Sequence, residues 1–345
     1  MIKKTEKITF PSELRYDLVS KDWVVIATGR ARRPETFKKE KRQKKSLSKK
    51  ECPFCNIESQ EKPVLTLVNG KKVSGQAIPS NWTVIVIPNK YPAFLPFPDL
   101  GKKTEGGIYQ KMNAVGFHEV VITRDCNRSL GQLEVKKVKE VIDAFQKRYS
   151  ELMKKKFVNH ISILHNHGAE ASASVFHPHS QIIATYLVDV DLNKALSNSK
   201  KYYTKTKKCI SCQMTNWERK VRERIVFENK EFLAVCPFAS KSSFEIIISP
   251  KKHLSNFERI TEKEKWQLAE AFKAALGKLY TGLNDPAYNF YLHTAPCDGK
   301  EYPYYHWHWT ILPKTSIWGG FELGTGMEIS TIEPEKAAEY LRKQN

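Results

Sequence analysis

No stretch of the 345-residue chain is apolar for the length a bilayer demands, so a membrane-spanning protein is excluded as a reading of the sequence. The opening residues MIKKTEKITF are basic but carry no apolar run, which argues against a secretory leader. The low-hydrophobicity signature of disorder is also missing, since 41% of residues are apolar. Acidic residues are in short supply: 37 Asp and Glu face 57 Lys and Arg, leaving a net charge of +20. Much of the excess sits in two runs, KKEKRQKKSLSKK (38–50) and KKYYTKTKK (200–208). Such runs attract nucleic acid or a phosphorylated small molecule. Neither interleaves its basic residues with a base-reading motif, so a solvated lysine-rich surface is the simpler account. A cytoplasmic protein with no nucleic-acid or membrane partner is the expectation.

An even complement of cysteines is lacking too. There are seven, Cys52, Cys55, Cys126, Cys209, Cys212, Cys236 and Cys297. An odd count, no leader and two C-x-x-C pairs argue against a disulfide framework and for metal thiolates. A thioredoxin-like redox role for Cys52 and Cys55 fails on context, because no strand leads into CPFC and no long helix follows.

What the chain does have is FHPHSQIIA, residues 176–184. The β-branched pair Ile182–Ile183 reads as strand, and positions two apart on a strand share a face. His177, His179 and Gln181 are therefore expected in one row. Pro178 cannot donate to a ladder, which suits an edge strand or a strand entrance. A lone histidine there would simply face water. A spaced trio in a chain with paired cysteines reads better as a site.

The two halves repeat a plan. The first runs ECPFC, NWTVIVIPNKYPAF, FHEVVITRDC, a helical stretch and FHPHSQIIA; the second runs KCISC, EFLAVCPFASKSSF, FEIIISPKKH, a helical stretch and YHWHWTILP. In the first helical stretch Val138, Val141, Ile142, Phe145, Tyr149 and Leu152 recur at three- and four-residue steps. The second opens on a capping-box pair, Thr261 and Glu264, and assigns Trp266, Leu268, Ala269, Phe272, Leu276 and Leu279 to the buried face. The pattern predicts an α+β fold built twice, each half with a packed helix and a zinc site. The boundary falls near LVDVDLNKALSNSKK (187–201), dividing the chain into 1–190 and 191–345.

Matching positions in the plan supply two tetrahedral ligand sets. The first is Cys52, Cys55, Cys126 and His177, with His118 as the competitor to Cys126. The second is Cys209, Cys212, His253 and His306, with His293 as an alternative. Four protein ligands leave no open position for water, so both zinc ions read as structural. If a metal holds His177, it fixes the strand and hence the aim of His179. One histidine anchors and the other reacts.

HPHSQ resembles the active-site motif of galactose-1-phosphate uridylyltransferases, the transferase branch of the histidine-triad superfamily. LRYDLVSKDWVVIATGRARRP, CPFC, VIPNKYPAF, HEVVI, NHGAEASASVFHPHSQIIA, YHWHWTILPK and GGFELGTGMEISTIEPEKAAEYLR resemble family segments in family order, across nearly the whole chain. The resemblance implies two histidine-triad-like halves, each built on an antiparallel sheet, the first catalytic and the second not, in a homodimer. It implies that His179 attacks the α-phosphorus of UDP-glucose, releases glucose 1-phosphate, and passes the uridylyl group to galactose 1-phosphate. A neutral imidazole is a competent nucleophile for this. Gln181 would donate to a phosphoryl oxygen as charge develops. The hydrolase branch has histidine there, so glutamine favours transfer.

Further roles carry over by motif. Asn166, Ser172 and Ser174 match nucleotide and phosphate contacts, and Asn89 a nucleoside contact. Arg30 and Arg33 match phosphate-binding arginines that reach the neighbouring subunit's site, where a planar guanidinium suits phosphate. Phe321 and Glu322 lie where the family contacts the hexose. Departures are Ser172 for a common glycine, Cys126 for a common histidine, and Thr310 in HWHWT where HPHSQ has Gln181. Relatives with two zinc motifs handle ADP-glucose with phosphate as acceptor, and CISC points toward that alternative.

Overall fold

The computed structural model describes residues 12–28, 34–38, 48–75 and 77–344. Arg30 and Arg33 lie outside the described residues, as does most of the 38–50 lysine run. The first half contains β1 (Glu13–Tyr16), β2 (Trp23–Ile26), α1 (Pro34–Lys38), β3 (Leu65–Val68), β4 (Lys71–Lys72) and β5 (Val84–Pro88). It continues through β6 (Lys103–Glu105), β7 (Tyr109–Lys111), β8 (Gly116–Thr123), α2 (Val135–Leu152), β9 (His160–His167) and β10 (His179–Thr185). Helices α3 (Val190–Thr206) and α4 (Ile210–Val221) follow, then β11 (Ile225–Glu228), β12 (Phe232–Val235), β13 (Ile246–Pro250) and α5 (Glu262–Leu283). The chain closes with β14 (Tyr288–His293), β15 (His308–Pro313), α6 (Gly320–Thr325), β16 (Ile329–Ser330) and α7 (Pro334–Arg342).

The fold is α+β around one large antiparallel sheet. Its strands lie in the order β11-β12-β13-β15-β14-β9-β10-β8-β5-β3-β4. Apart from the short β4, that order reads as the same sequence of roles from either edge toward the β14–β9 seam. The seam is set by Tyr288 opposite His167 and Phe290 opposite His165.

Side chains alternate across this sheet as the strand period requires. Val84, Val86, Val121, Ile182 and Ala184 face the main core, where α2 and α5 pack. Their neighbours Ile85, Ile87, Val120 and Ile122 face the other way, under Cys52, Phe54 and Trp82. The expected α2 face is buried in full. On α5, Leu268, Ala269, Phe272, Leu276 and Leu279 are buried but Trp266 is 41% exposed. Lys265 holds the inward position one residue earlier, where its ammonium meets Asp143 of α2 at 2.7 Å. Trp266 is turned about 100° away from it, as 3.6 residues per turn require, with Lys139 over its ring.

Two stretches are resolved further by the structure. Pro178 does sit at a strand entrance, but β10 lies between β8 and β9 and is no edge. The stretch expected to divide the halves is helix α3, capped by Asp189, whose side chain accepts from Leu192 N–H at 2.8 Å. Leu192 and Leu196 bury against Ala295, Tyr302 and Tyr305, so the helix packs onto the second half.

Candidate active site

His179 opens β10 and is 9% exposed. Its Nδ1 lies 2.8 Å from the carbonyl oxygen of His177. A carbonyl can only accept, so Nδ1 carries the proton and Nε2 keeps its lone pair. Burial lowers the pKa of His179, with the bond to His177 opposing, so the ring is neutral at neutral pH. Phe54, between the two cysteines of CPFC, packs against both imidazoles, 5.8 Å from His177 and 5.0 Å from His179.

His177 is anchored separately. Its Nε2–H donates to Thr123 O at 2.7 Å, which leaves Nδ1 bare. That nitrogen lies 3.4 Å from Cys52 Sγ and 3.7 Å from Cys55 Sγ. A tetrahedral zinc with bonds of about 2.0–2.3 Å separates its ligand atoms by roughly 3.3–3.8 Å, so the spacing fits. Cys126 stands beside Cys55, whose thiol is pushed up to about 12 by burial and then by Cys52 and Cys126. Its sulfur is not in the group of three whose ligand atoms all lie within 4.8 Å of one another. His118, the competitor for that position, is elsewhere, bound to Gln181.

The second group is complete. Ligand atoms of Cys209, Cys212, His253 and His306 all lie within 4.8 Å of one another. Cys212 Sγ is 3.3 Å from His253 Nδ1 and 3.4 Å from His306 Nδ1. His306 Nε2–H donates to Pro250 O at 2.9 Å, the counterpart of the His177 bond. His293 is outside this group and stacks on His308 at 4.6 Å. His308 repeats the bond of His179, Nδ1 to His306 O at 3.3 Å. It faces a cavity of about 360 Å³ lined also by Thr310, Glu245 and Asp17.

The remaining residues fall into two sets. Ser180 lies opposite His165 in the β9–β10 ladder, with Asn166 and His179 the next residue of each strand beyond that pair. Asn166 Oδ1 accepts from Asn289 Nδ2 at 2.8 Å, which leaves its amide protons uncommitted. Gln181 Oε1 is 2.7 Å from His118 Nε2, and Asn89 Nδ2 is 3.0 Å from the same nitrogen. Asn89, His118, Gln181, His179 and Asn166 thus gather on and beside three neighbouring strands. Ser172 and Ser174 lie exposed in the β9–β10 loop. Ser172 is left-handed at φ +64, which explains why glycine suits that position. Gly168, at φ +82, has no room for a Cβ, which would sit 2.7 Å from Ala287 Cβ.

Phe321 and Glu322 sit on α6, far along the chain. Phe321 is 50% exposed, and Glu322 accepts from Gly319 N–H at 2.9 Å. Their described contacts are local and do not include His179. Sequence reasoning missed Phe54 as a packing partner and considered His118 only as the competitor to Cys126, not as a neighbour of Gln181. The alternation F-H-E-V-V on β8 put His118 on the right face, but only the register pairs it with Gln181.

Comparison with known proteins identifies two family models along the chain. The family model for the galactose-1-phosphate uridyl transferase N-terminal domain matches residues 2–188. The one for the C-terminal domain matches residues 195–343. An ADP-glucose phosphorylase of Arabidopsis thaliana is 34% identical over 336 residues, covering 96% of this chain and 92% of the relative. A galactose-1-phosphate uridylyltransferase of Thermotoga maritima is 28% identical over 341 residues, covering 96% and 98%. The crystal structure of an Arabidopsis thaliana ADP-glucose phosphorylase with bound ADP-glucose superposes with a TM-score of 0.78 at 31% identity, covering 97% of this chain and 99% of that one.

Proposed function

The chain belongs to the galactose-1-phosphate uridyl transferase family and is a nucleotidyltransferase, and from that premise we propose a two-step transfer through His179. The bare Nε2 of His179 attacks the α-phosphorus of a nucleoside diphosphate glucose. The N–P bond forms as the bridging P–O bond breaks, and glucose 1-phosphate leaves as an anion that needs no protonation. A phosphate oxygen of the acceptor then attacks the same phosphorus and releases the histidine. The observation that carries this reading is the His179 Nδ1 bond to His177 O, which presents the other nitrogen as a lone pair.

Asn166 and Gln181 each have an amide carbonyl already engaged, so their NH2 groups are the donors for phosphoryl oxygens. Asn89 is assigned to the nucleoside, Ser172 and Ser174 to the phosphates, and Phe321 and Glu322 to the hexose. Arg30 and Arg33 are assigned to the phosphates of the partner's site in a homodimer. These assignments rest on the family motif.

Zinc fits both cysteine–histidine groups, whose ring tautomers and spacings suit it. Cys52, Cys55 and His177 would hold one ion, with Cys126 the fourth ligand; Cys209, Cys212, His253 and His306 would hold the other. Bound zinc supplies a fixed anchor for the strand. The two units, 1–190 and 191–345, are read as an internal repeat, supported by the mirrored strand order. The second unit is non-catalytic, since Thr310 replaces Gln181 and a cavity rich in carboxylates replaces the phosphate loop.

Two donors compete. ADP-glucose with inorganic phosphate as acceptor is favoured by the complete second metal group and by the 34% identity to an ADP-glucose phosphorylase. UDP-glucose with galactose 1-phosphate is the second reading, carried by the match to the Thermotoga enzyme. Intact mass spectrometry after mixing with each nucleotide sugar separates them. An adenylyl adduct discharged by phosphate supports the first, and a uridylyl adduct discharged by galactose 1-phosphate the second. Consumption of sugar nucleotide with no adduct would remove His179 from its role.

A further inference from the structure

His118 makes three contacts that together decide where its proton sits. Ala93 N–H donates to Nδ1 at 3.1 Å. A backbone amide has no other option, so Nδ1 is unprotonated and the ring proton is on Nε2. Nε2 in turn lies 2.7 Å from Gln181 Oε1, a donor–acceptor contact of good length. Asn89 Nδ2, 3.0 Å from the same nitrogen, cannot donate to it in this tautomer. The Asn89 carbonyl is occupied by Tyr91 N–H at 2.9 Å, so the Asn89 amide protons are left for another acceptor.

An unrestrained glutamine presents either end of its amide. Its carbonyl turned toward a phosphoryl group would repel the charge that develops there. We propose that His118 is a positioning residue for nucleotidyl transfer: by donating from Nε2 to Gln181 Oε1 it locks the Gln181 amide so that its NH2 faces the phosphorus attacked by His179. The placement follows from the ladder. Gln181 lies opposite Val120 and Ile183 opposite His118, so His118 and Gln181 are diagonal neighbours on one face of β8 and β10. The same face carries His179, two residues before Gln181. Ala93 sets the tautomer through a bond no side-chain flip can reverse, and the Asn89 amide is freed for the nucleotide by the same proton.

The inference rests on the covalent His179 reading, and its test keeps the two apart. Wild type, His118→Asn, His118→Gln, Gln181→Ala and the H118N/Q181A double variant are mixed with ADP-glucose and UDP-glucose, and adduct formation is timed by intact mass in single turnover. Asn keeps an acceptor for Ala93 N–H but has no donor at the Nε2 position; Gln reaches that position. H118N should lower the limiting rate of adduct formation about 10- to 100-fold, less than the roughly 100- to 1,000-fold for removing a transition-state donor outright, with little change in half-saturating sugar nucleotide. H118Q should recover most of the rate. In the Q181A background H118N should have no further effect, because the pair acts as one unit. Independent, multiplicative losses in the double variant, no rescue by Gln, or a loss confined to half-saturation would overturn the role of His118 alone. An absence of any adduct in wild type with both donors would overturn the covalent reading and this inference with it.

Discussion

The paired bonds Nδ1–H to His177 O and Nε2–H to Thr123 O give adjacent histidines opposite tautomers. His177 turns Nδ1 to the sulfurs, and His179 keeps on Nε2 the lone pair that the proposed transfer uses. Division of labour at the residue scale therefore comes from which carbonyl each ring meets. His179→Gly should abolish adduct formation and transfer while metal content, measured by elemental analysis, stays at the wild-type value. A loss of metal in that variant would show that the two histidines are not separable. Because burial lowers the pKa of His179, the adduct-formation rate should stay level from pH 8 down to about 6.5, the ordinary imidazole value. It should decline only below that, as the nucleophile protonates. A rate already halved near neutral pH would contradict a neutral, buried ring.

At the scale of elements, the β9–β10 connection is shaped by backbone conformation. Ser172 closes the short 3-10 turn at Ala169–Ala171 with φ +64 and ψ +29. A residue with a Cβ is strained there by about 1–2 kcal/mol, part of which glycine would return in lost chain entropy. Ser172→Gly should stabilise the protein by about 0.5–1 kcal/mol in urea denaturation. A loss of adduct rate in that variant, with unchanged folding, would assign the Ser172 hydroxyl a direct contact with the nucleotide.

The cysteine elements call for a metal count. Cys126→Ser tests the fourth ligand of the first group, where the geometry places Cys126 beside Cys55 but outside the tight cluster. Its metal content should fall by one equivalent or become removable by a mild chelator. Cys212→Ser should remove one equivalent too, yet leave His179 adduct formation intact, since its group lies on the other half of the sheet. Unchanged, chelator-resistant metal in Cys126→Ser would leave the first group with three protein ligands.

For the whole molecule, the cavity in the second half gathers buried acidic groups. It holds Glu245, 5% exposed, whose pKa burial raises to about 8. A carboxyl with a folded pKa above its unfolded value binds more protons folded than unfolded between those two values. Its contribution to stability is therefore fully present below about pH 4.5 and is lost as pH rises toward 8. Glu245→Gln, an uncharged isostere, should flatten the decline in melting temperature between pH 5 and pH 8. An identical slope in the variant would mean that Glu245 is ionised in the folded protein.

Local pattern alone determined a good deal here. The C-x-x-C pairs, the H-x-H strands and the buried stripe of α2 are short-range features, set by side-chain spacing along one element, and each was legible as written. So was the capping box of Thr261 and Glu264, where each backbone N–H meets the other side chain. Features that depend on a second element were not. Trp266 belongs outside because Lys265 finds Asp143 on another helix, and the helix α3 at the boundary was not foreseen because it depends on the surface of the second half that Leu192 and Leu196 cover. His118 shows the difference most clearly. Its face is written in the alternation of β8, but its partner is fixed by antiparallel register with β10, and its proton by a backbone amide of the loop that follows β5. Spacing along one strand decides which way a side chain points; only the pairing of strands decides what it meets there.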